Sequence, residues 1–247
     1  METLFLDPFT ILLIAGFIGF FMAFGIGAND VANSMGTSVG SRAITIKQAI
    51  IIAAIFEFLG AFLAGGEVTS TIRKGIVDPE LYADQTNIFV IGMLSALLAG
   101  GTWLYLASLR GWPVSTTHTI VGSIVGFVLI TKGVDAVSWS KVGNIAMSWV
   151  TSPLFSATLA FGLYISAKKL ILERSNPGEA AIRYIPFYSF LVAVVISLVT
   201  ARKGLKHVGV EFTDNEVYLF IAIFSSLVGL ATAFFLRTNK KQIMREG

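Results

Sequence analysis

The chain of 247 residues contains no cysteine and little charge, with only 13% of its residues Asp, Glu, Lys or Arg. A soluble domain carries about 25%, so too few charged side chains are present to coat a globule of this length. The absence of cysteine excludes a disulfide framework, a thiolate metal centre and a cysteine nucleophile. Histidine is nearly absent too: His118 and His207 are the only two, and His118, with no second imidazole nearby, makes a poor metal site. No Gly-X-Ser-X-Gly, His-Glu-X-X-His or Walker A segment occurs, and nothing orders Ser115, His118 and Asp30 into an acyl-transfer triad, so no enzyme is expected. What is abundant is apolar: 55% of residues are hydrophobic and the mean hydropathy is +0.77. Disorder is excluded by the same figures, and a polytopic membrane protein remains.

A hydrocarbon core about 30 Å thick needs roughly 20 mostly apolar helical residues. Seven runs approach that length: 9–27, 48–66, 87–109, 113–131, 142–167, 184–201 and 217–236. Glu57 is the one formal charge in them, and all 18 Lys and Arg lie outside. The runs are continuous rather than alternating, which favours helices over a membrane barrel. The expected fold is therefore all-α: a single transmembrane domain over residues 1–247, with broken or re-entrant helices at its polar segments. The basic residues then read as topology-setting loop charge, not as a nucleic-acid surface. If every run crosses once, the larger share of them falls on the C-terminal side, which would be cytoplasmic. The run 113–131 opens on a polar cluster and could instead re-enter, which would reverse the parity of every later run.

Three polar features stand out. Gly25 to Ser38 follows an apolar run and contains Asn29, Asp30, Asn33 and three glycines. Glycine lets the backbone leave helical geometry, and groups freed at membrane depth must be satisfied around a ligand or water. A carboxylate with amide oxygens suits a hard cation such as Na⁺; the alternative is a helix that ends at Gly27, with Asn29 or Asp30 capping the next. The second feature is Gly111 to Ser123. Pro113 fits a first turn, and Ser115, Thr116 and Thr117 would place hydroxyls and free N–H groups at a helix N-terminus, a natural oxyanion receptor. A hydroxyl-rich helix start with no ligand is the plainer alternative. The third is Glu57, whose carboxylate at mid-run must face protein or water and is a functional candidate by default. Thr69 to Gly75 forms a basic, hydroxyl-rich stretch that reads as a solvated connection.

Gly27-Ala28-Asn29-Asp30-Val31-Ala32-Asn33 resembles the GANDVAN signature of the inorganic phosphate transporter family, and Pro113-Val114-Ser115-Thr116-Thr117-His118 its hydroxyl-histidine segment. Thr71-Ile72-Arg73-Lys74-Gly75-Ile76 and Glu57 also look like family features. The resemblance implies a sodium-coupled phosphate symporter of the cell membrane, multi-pass, working by alternating access with no cofactor besides coupling sodium ions. Asp30 and Glu57 would be tied to transport. Ser115, Thr116, Thr117 and Asn33 are assigned to phosphate, and Asn29, Asp30, Asn33 and Glu57 to sodium. Family members resemble tandem inverted repeats in which both segments occur twice. Here each occurs once, so the chain resembles the N-terminal half, with 237–247 as the start of a cytoplasmic linker or tail. The partners implied are inorganic phosphate, Na⁺, the lipid bilayer and the missing C-terminal half, or a second copy in a homodimer. The alternatives are a sulfate or proton-coupled permease, an anion channel, and a non-transporting membrane subunit. The channel reading lacks basic residues inside the runs to ring a pore.

Overall fold

The computed structural model describes residues 6–204, 209 and 212–241, without the side chains of 64, 66–75 and 203. Its regular elements are helical: α1 (Pro8–Gly40), α2 (Ile46–Gly75), α3 (Thr86–Leu109), α4 (Thr116–Lys132), α5 (Trp139–Ala167), α6 (Pro177–Val199) and α7 (Asp214–Thr238). All but α4 contain a stretch long and apolar enough to cross a membrane. With 17 residues, α4 is about 25 Å long at 1.5 Å per residue, short of the hydrocarbon thickness. Seven expected crossings thus resolve into six and one shorter helix. The stretch Thr69 to Gly75 is the last part of α2 rather than a loop; its side chains, and His207, lie outside the described residues.

Local chemistry accounts for the helix starts. Asp7 caps α1 by accepting from the Thr10 N–H and hydroxyl, and Pro8 occupies the first turn, where a missing N–H costs nothing. Those two bonds hold the Asp7 carboxyl below its ordinary value. Thr45 and Gln48 form a reciprocal capping box at α2.

The glycine-rich stretch from Gly25 does not break the helix. α1 runs without interruption through the GANDVAN segment for 33 residues, about 50 Å. An interior glycine costs a helix only about 1 kcal/mol, whereas unsatisfied backbone groups at membrane depth cost several each. The hydrogen-bond ladder wins. Helical spacing then puts Met22, Gly25 and Asn29 on one buried stripe, and Asn33, one turn further on the same face, is exposed.

Residues 1–59 and 68–145 form one compact unit, and 60–67 and 146–247 another. In the first unit α1 packs along α3, with Gly25 against Leu104 and Gly101 against Phe21 and Met22. A Cβ on Gly101 would meet Phe21 Cδ1 at 3.0 Å and the Met22 Cα at 3.1 Å, so the close approach leaves a larger residue no room unless α1 gives by a few tenths of an ångström. α4 lies antiparallel to α3: Phe127 sits over Gly92, and Thr119 and Ser123 over Gly100. Buried Tyr82 anchors the far end of this hairpin, stacked on Phe127 and within 2.6 Å of the Thr131 hydroxyl.

In the second unit α6 and α7 are antiparallel, with Gly229 against Phe190 and Pro186. Ion pairs Arg202–Asp214 at 2.9 Å and Lys240–Glu179 at 3.0 Å lie towards opposite ends of the pair. The Ser166 and Tyr188 hydroxyls join α5 to α6 at 2.7 Å.

Candidate functional site

The site forms where α3 turns into α4, against the polar part of α1. α3 ends on a Schellman motif: Gly111 adopts φ 67°, its N–H donates to the Ser108 carbonyl at 3.1 Å, and the Trp112 N–H donates to the Ala107 carbonyl at 2.9 Å. Pro113 follows and cannot continue the helix; it lies in the connection and not in the first turn of α4, which begins at Thr116. This leaves the Trp112 carbonyl and the Val114 N–H without helical partners. Asn29 supplies both: its Nδ2 donates to the Trp112 oxygen at 2.9 Å, and its Oδ1 accepts from the Val114 N–H at 3.3 Å. At 5% exposure Asn29 is buried, while Trp112 is exposed and Val114 half-buried, so the two bonds lie at the edge of the packed region and are partly shielded from water. Ser108 and Asn33 complete its surroundings, each 3.5 Å away.

The next helix starts immediately. The Ser115 side chain accepts from the His118 N–H at 3.3 Å and caps α4. Helix geometry leaves the N–H groups of Thr116 and Thr117 without intrahelical acceptors, and the positive end of the α4 dipole points the same way. The Thr116 hydroxyl donates to Asp30 Oδ2 at 3.1 Å. Asp30 is half-buried, and among the described residues no Lys or Arg pairs with it. A carboxylate without a basic partner therefore stands beside a helix N-terminus and a row of hydroxyls.

Two segments more than 80 residues apart in the chain are thus brought together. Asn29, Asp30, Asn33 and Thr116 share one locality through the bonds above, and Ser115 adjoins it only as the residue before Thr116, its side chain bonded within α4. Ser115 and Thr117 are exposed. Glu57 is exposed on α2, and among the described residues no hydrogen bond or ion pair links it to the others. Sequence reasoning did not anticipate Ser108, Trp112 and Val114 as partners of Asn29. A usable signal was present in Gly111-Trp112-Pro113, since glycine then proline after an apolar run marks a helix C-terminus whose flanking backbone needs outside partners.

Residues 26–244 match the model of the phosphate transporter family. The chain belongs to this family. A Haemophilus influenzae protein named "Putative phosphate permease" is 52% identical over 217 residues, covering 88% of this chain and 51% of that protein. "Inorganic phosphate transporter 2-1, chloroplastic" of Arabidopsis thaliana is 50% identical over 179 residues, 72% of this chain and 30% of its own length. A solved structure described as "The sodium-dependent phosphate transporter" superposes with a TM-score of 0.85 at 41% identity, covering 93% of this chain and 56% of that one. The chain spans about half the length, or less, of these relatives. Family membership and the six membrane-capable helices among the described residues make it a multi-pass membrane protein.

Proposed function

We propose that this chain forms one half of the translocation site of a sodium-coupled phosphate symporter. The observation that carries the reading is the 3.1 Å bond between Thr116 and Asp30, which joins the acidic segment of α1 to the N-terminus of α4. In this reading phosphate is received by the Thr116 and Thr117 N–H groups and by the hydroxyls of Ser115 and Thr117, with Asn33 at the rim. The Thr116 hydroxyl, whose one proton goes to Asp30, turns to the phosphate when a cation takes the carboxylate. Asp30 alone would repel a phosphate anion held there. A Na⁺ ion on the Asp30 carboxylate, with amide oxygen from Asn29 or Asn33, removes that repulsion and makes anion binding depend on the cation. The same carboxylate can accept a hydrogen bond from monoprotonated phosphate, which sulfate cannot donate, and this favours phosphate.

Asn29 has a second role in the proposal. Because its amide holds the Trp112–Val114 turn, it sets where the α4 N-terminus points as well as lying next to the cation. Glu57 serves as a separate coupling group: a mid-helix carboxylate is too costly to face lipid, so its side of α2 is covered in the working transporter by protein or water. We assign that cover, and the rest of the site, to a second half resembling this one, in keeping with relatives of which this chain covers about half; a second copy of this chain in a homodimer is the other arrangement. Alternating access then moves the two halves about the site.

Uptake into vesicles containing the complete transporter tests the proposal. Saturable phosphate uptake that stops when Na⁺ is replaced by K⁺, and that sulfate does not compete away, is the expected result. Uptake indifferent to Na⁺, or driven equally by a proton gradient alone, would overturn the coupling assignment.

A further inference from the structure

The second unit carries an open basic pocket of about 680 Å³, lined by the segment joining α5 to α6, the first two turns of α6 and Lys240 just beyond α7. Its charged lining is Arg174, Arg183 and Lys240, against one carboxylate, Glu179. Lys240 is already paired with Glu179 at 3.0 Å, and the neighbouring carboxylate Glu173 is taken by Lys168 at 3.4 Å. Among the described residues neither guanidinium has a carboxylate partner. Arg183 lies over the Tyr184 ring, 5.6 Å from its centroid, which holds the guanidinium at the cavity wall. The Ser175 hydroxyl and the first turn of α6 add donors and a positive dipole end.

Charge and geometry together select the ligand class. After the internal pair cancels, two positive charges remain, each on a planar fork that matches phosphate oxygens in a bidentate fashion. The position selects the source. Arg174 lies two residues beyond the apolar span that ends at Leu172, Arg183 sits in the second turn of α6, and Lys240 lies two residues beyond α7. Guanidinium and ammonium groups at the ends of membrane-crossing helices stand at headgroup level, where basic pockets between helices take anionic lipid.

We propose that this cavity binds the phosphate group of an anionic phospholipid headgroup, at a site separate from the one that Asp30 and Thr116 form. The site does not depend on the transport reading, and its residues are not among those assigned to phosphate translocation.

Thermal unfolding of the detergent-purified protein tests it, with phosphatidylglycerol, phosphatidylcholine or inorganic phosphate added separately. Phosphatidylglycerol should raise the unfolding temperature of the unaltered protein by about 2–4 °C, and phosphatidylcholine should not. The shift should vanish in Arg174→Gln/Arg183→Gln and persist at least in part in Arg174→Lys/Arg183→Lys, which controls for damage to folding. A shift produced by inorganic phosphate alone and abolished by the glutamine pair would overturn the lipid source in favour of free phosphate. Equal phosphatidylglycerol shifts in the unaltered protein and the glutamine pair would overturn the site.

Discussion

Asn29 and Trp112 are 83 residues apart in the chain, and the amide of one donates to the backbone carbonyl of the other at 2.9 Å. With the return bond from the Val114 N–H at 3.3 Å, a single α1 side chain satisfies both polar groups that the Schellman end and Pro113 leave open. Asn29→Ala should therefore cost more than a lost surface bond. Two partly buried backbone groups lose their partner, at up to about 1–3 kcal/mol each, which predicts a lower unfolding temperature and weaker phosphate uptake together. Asn29→Asp keeps the acceptor for Val114 but places a carboxylate oxygen against the Trp112 carbonyl, so it should not restore either property.

Thr116 and Asp30 make a different prediction. A hydrogen bond to a charged group is worth about 1.5–3 kcal/mol, or a factor of roughly ten to a hundred in affinity. Thr116→Val, which keeps the shape and removes the hydroxyl, should raise the KM for phosphate within that range while the protein remains folded. Thr116→Ser should recover most of the loss, because the hydroxyl returns. A KM unchanged in the valine variant would mean that Thr116 only packs.

The approach of α1 to α3 can be tested without touching any polar group. Gly101→Ala puts a methyl within 3.1 Å of the Met22 Cα, and backbone cannot move aside as a side-chain tip can. Overpacking of this kind costs about 1–3 kcal/mol, and by pushing α1 outward it should also pull Asn29 off its turn and lower uptake. Gly16→Ala is the control. A Cβ there meets nothing within 4 Å, so alanine's better helix propensity should leave the protein as stable or up to about 1 kcal/mol more so.

At the opposite end of the hairpin, Gly92 lies under the Phe127 ring, which is stacked on Tyr82 and close to Phe89. Gly92→Ala forces that ring out of its place and should destabilise the protein by about 1–3 kcal/mol. Phe127→Leu in the same chain should return part of it, a coupling that a double-mutant cycle reads directly.

These residues also show what could be read from the sequence. The membrane class and a helix start among the Ser115–Thr117 hydroxyls come from local signals, apolar runs and a hydroxyl cluster. The meeting of the GANDVAN and hydroxyl segments is implied only by the family resemblance, and Pro113 lies ahead of α4 rather than in its first turn. The unbroken course of α1 was not legible, because glycines propose a break that the backbone ladder, costly to interrupt in lipid, declines. The clamp by Asn29 was also hidden. Which carbonyl lacks a partner depends on how α3 ends, and that is a matter of the Gly111 conformation and of tertiary packing. Glu57 was visible as a charge in an apolar run, but its neighbours are set by what covers α2, and no spacing within the chain encodes that.

In the proposed symporter, Asp30 beside the N-terminus of α4 makes phosphate binding depend on sodium. The most direct test measures phosphate affinity of the complete transporter, with and without saturating Na⁺, in the unaltered protein and in Asp30→Asn. The expected affinity rises about ten-fold or more with Na⁺ in the first and stays flat in the second. An Asp30→Asn protein whose phosphate affinity still rises with Na⁺ to the same extent would contradict the claim.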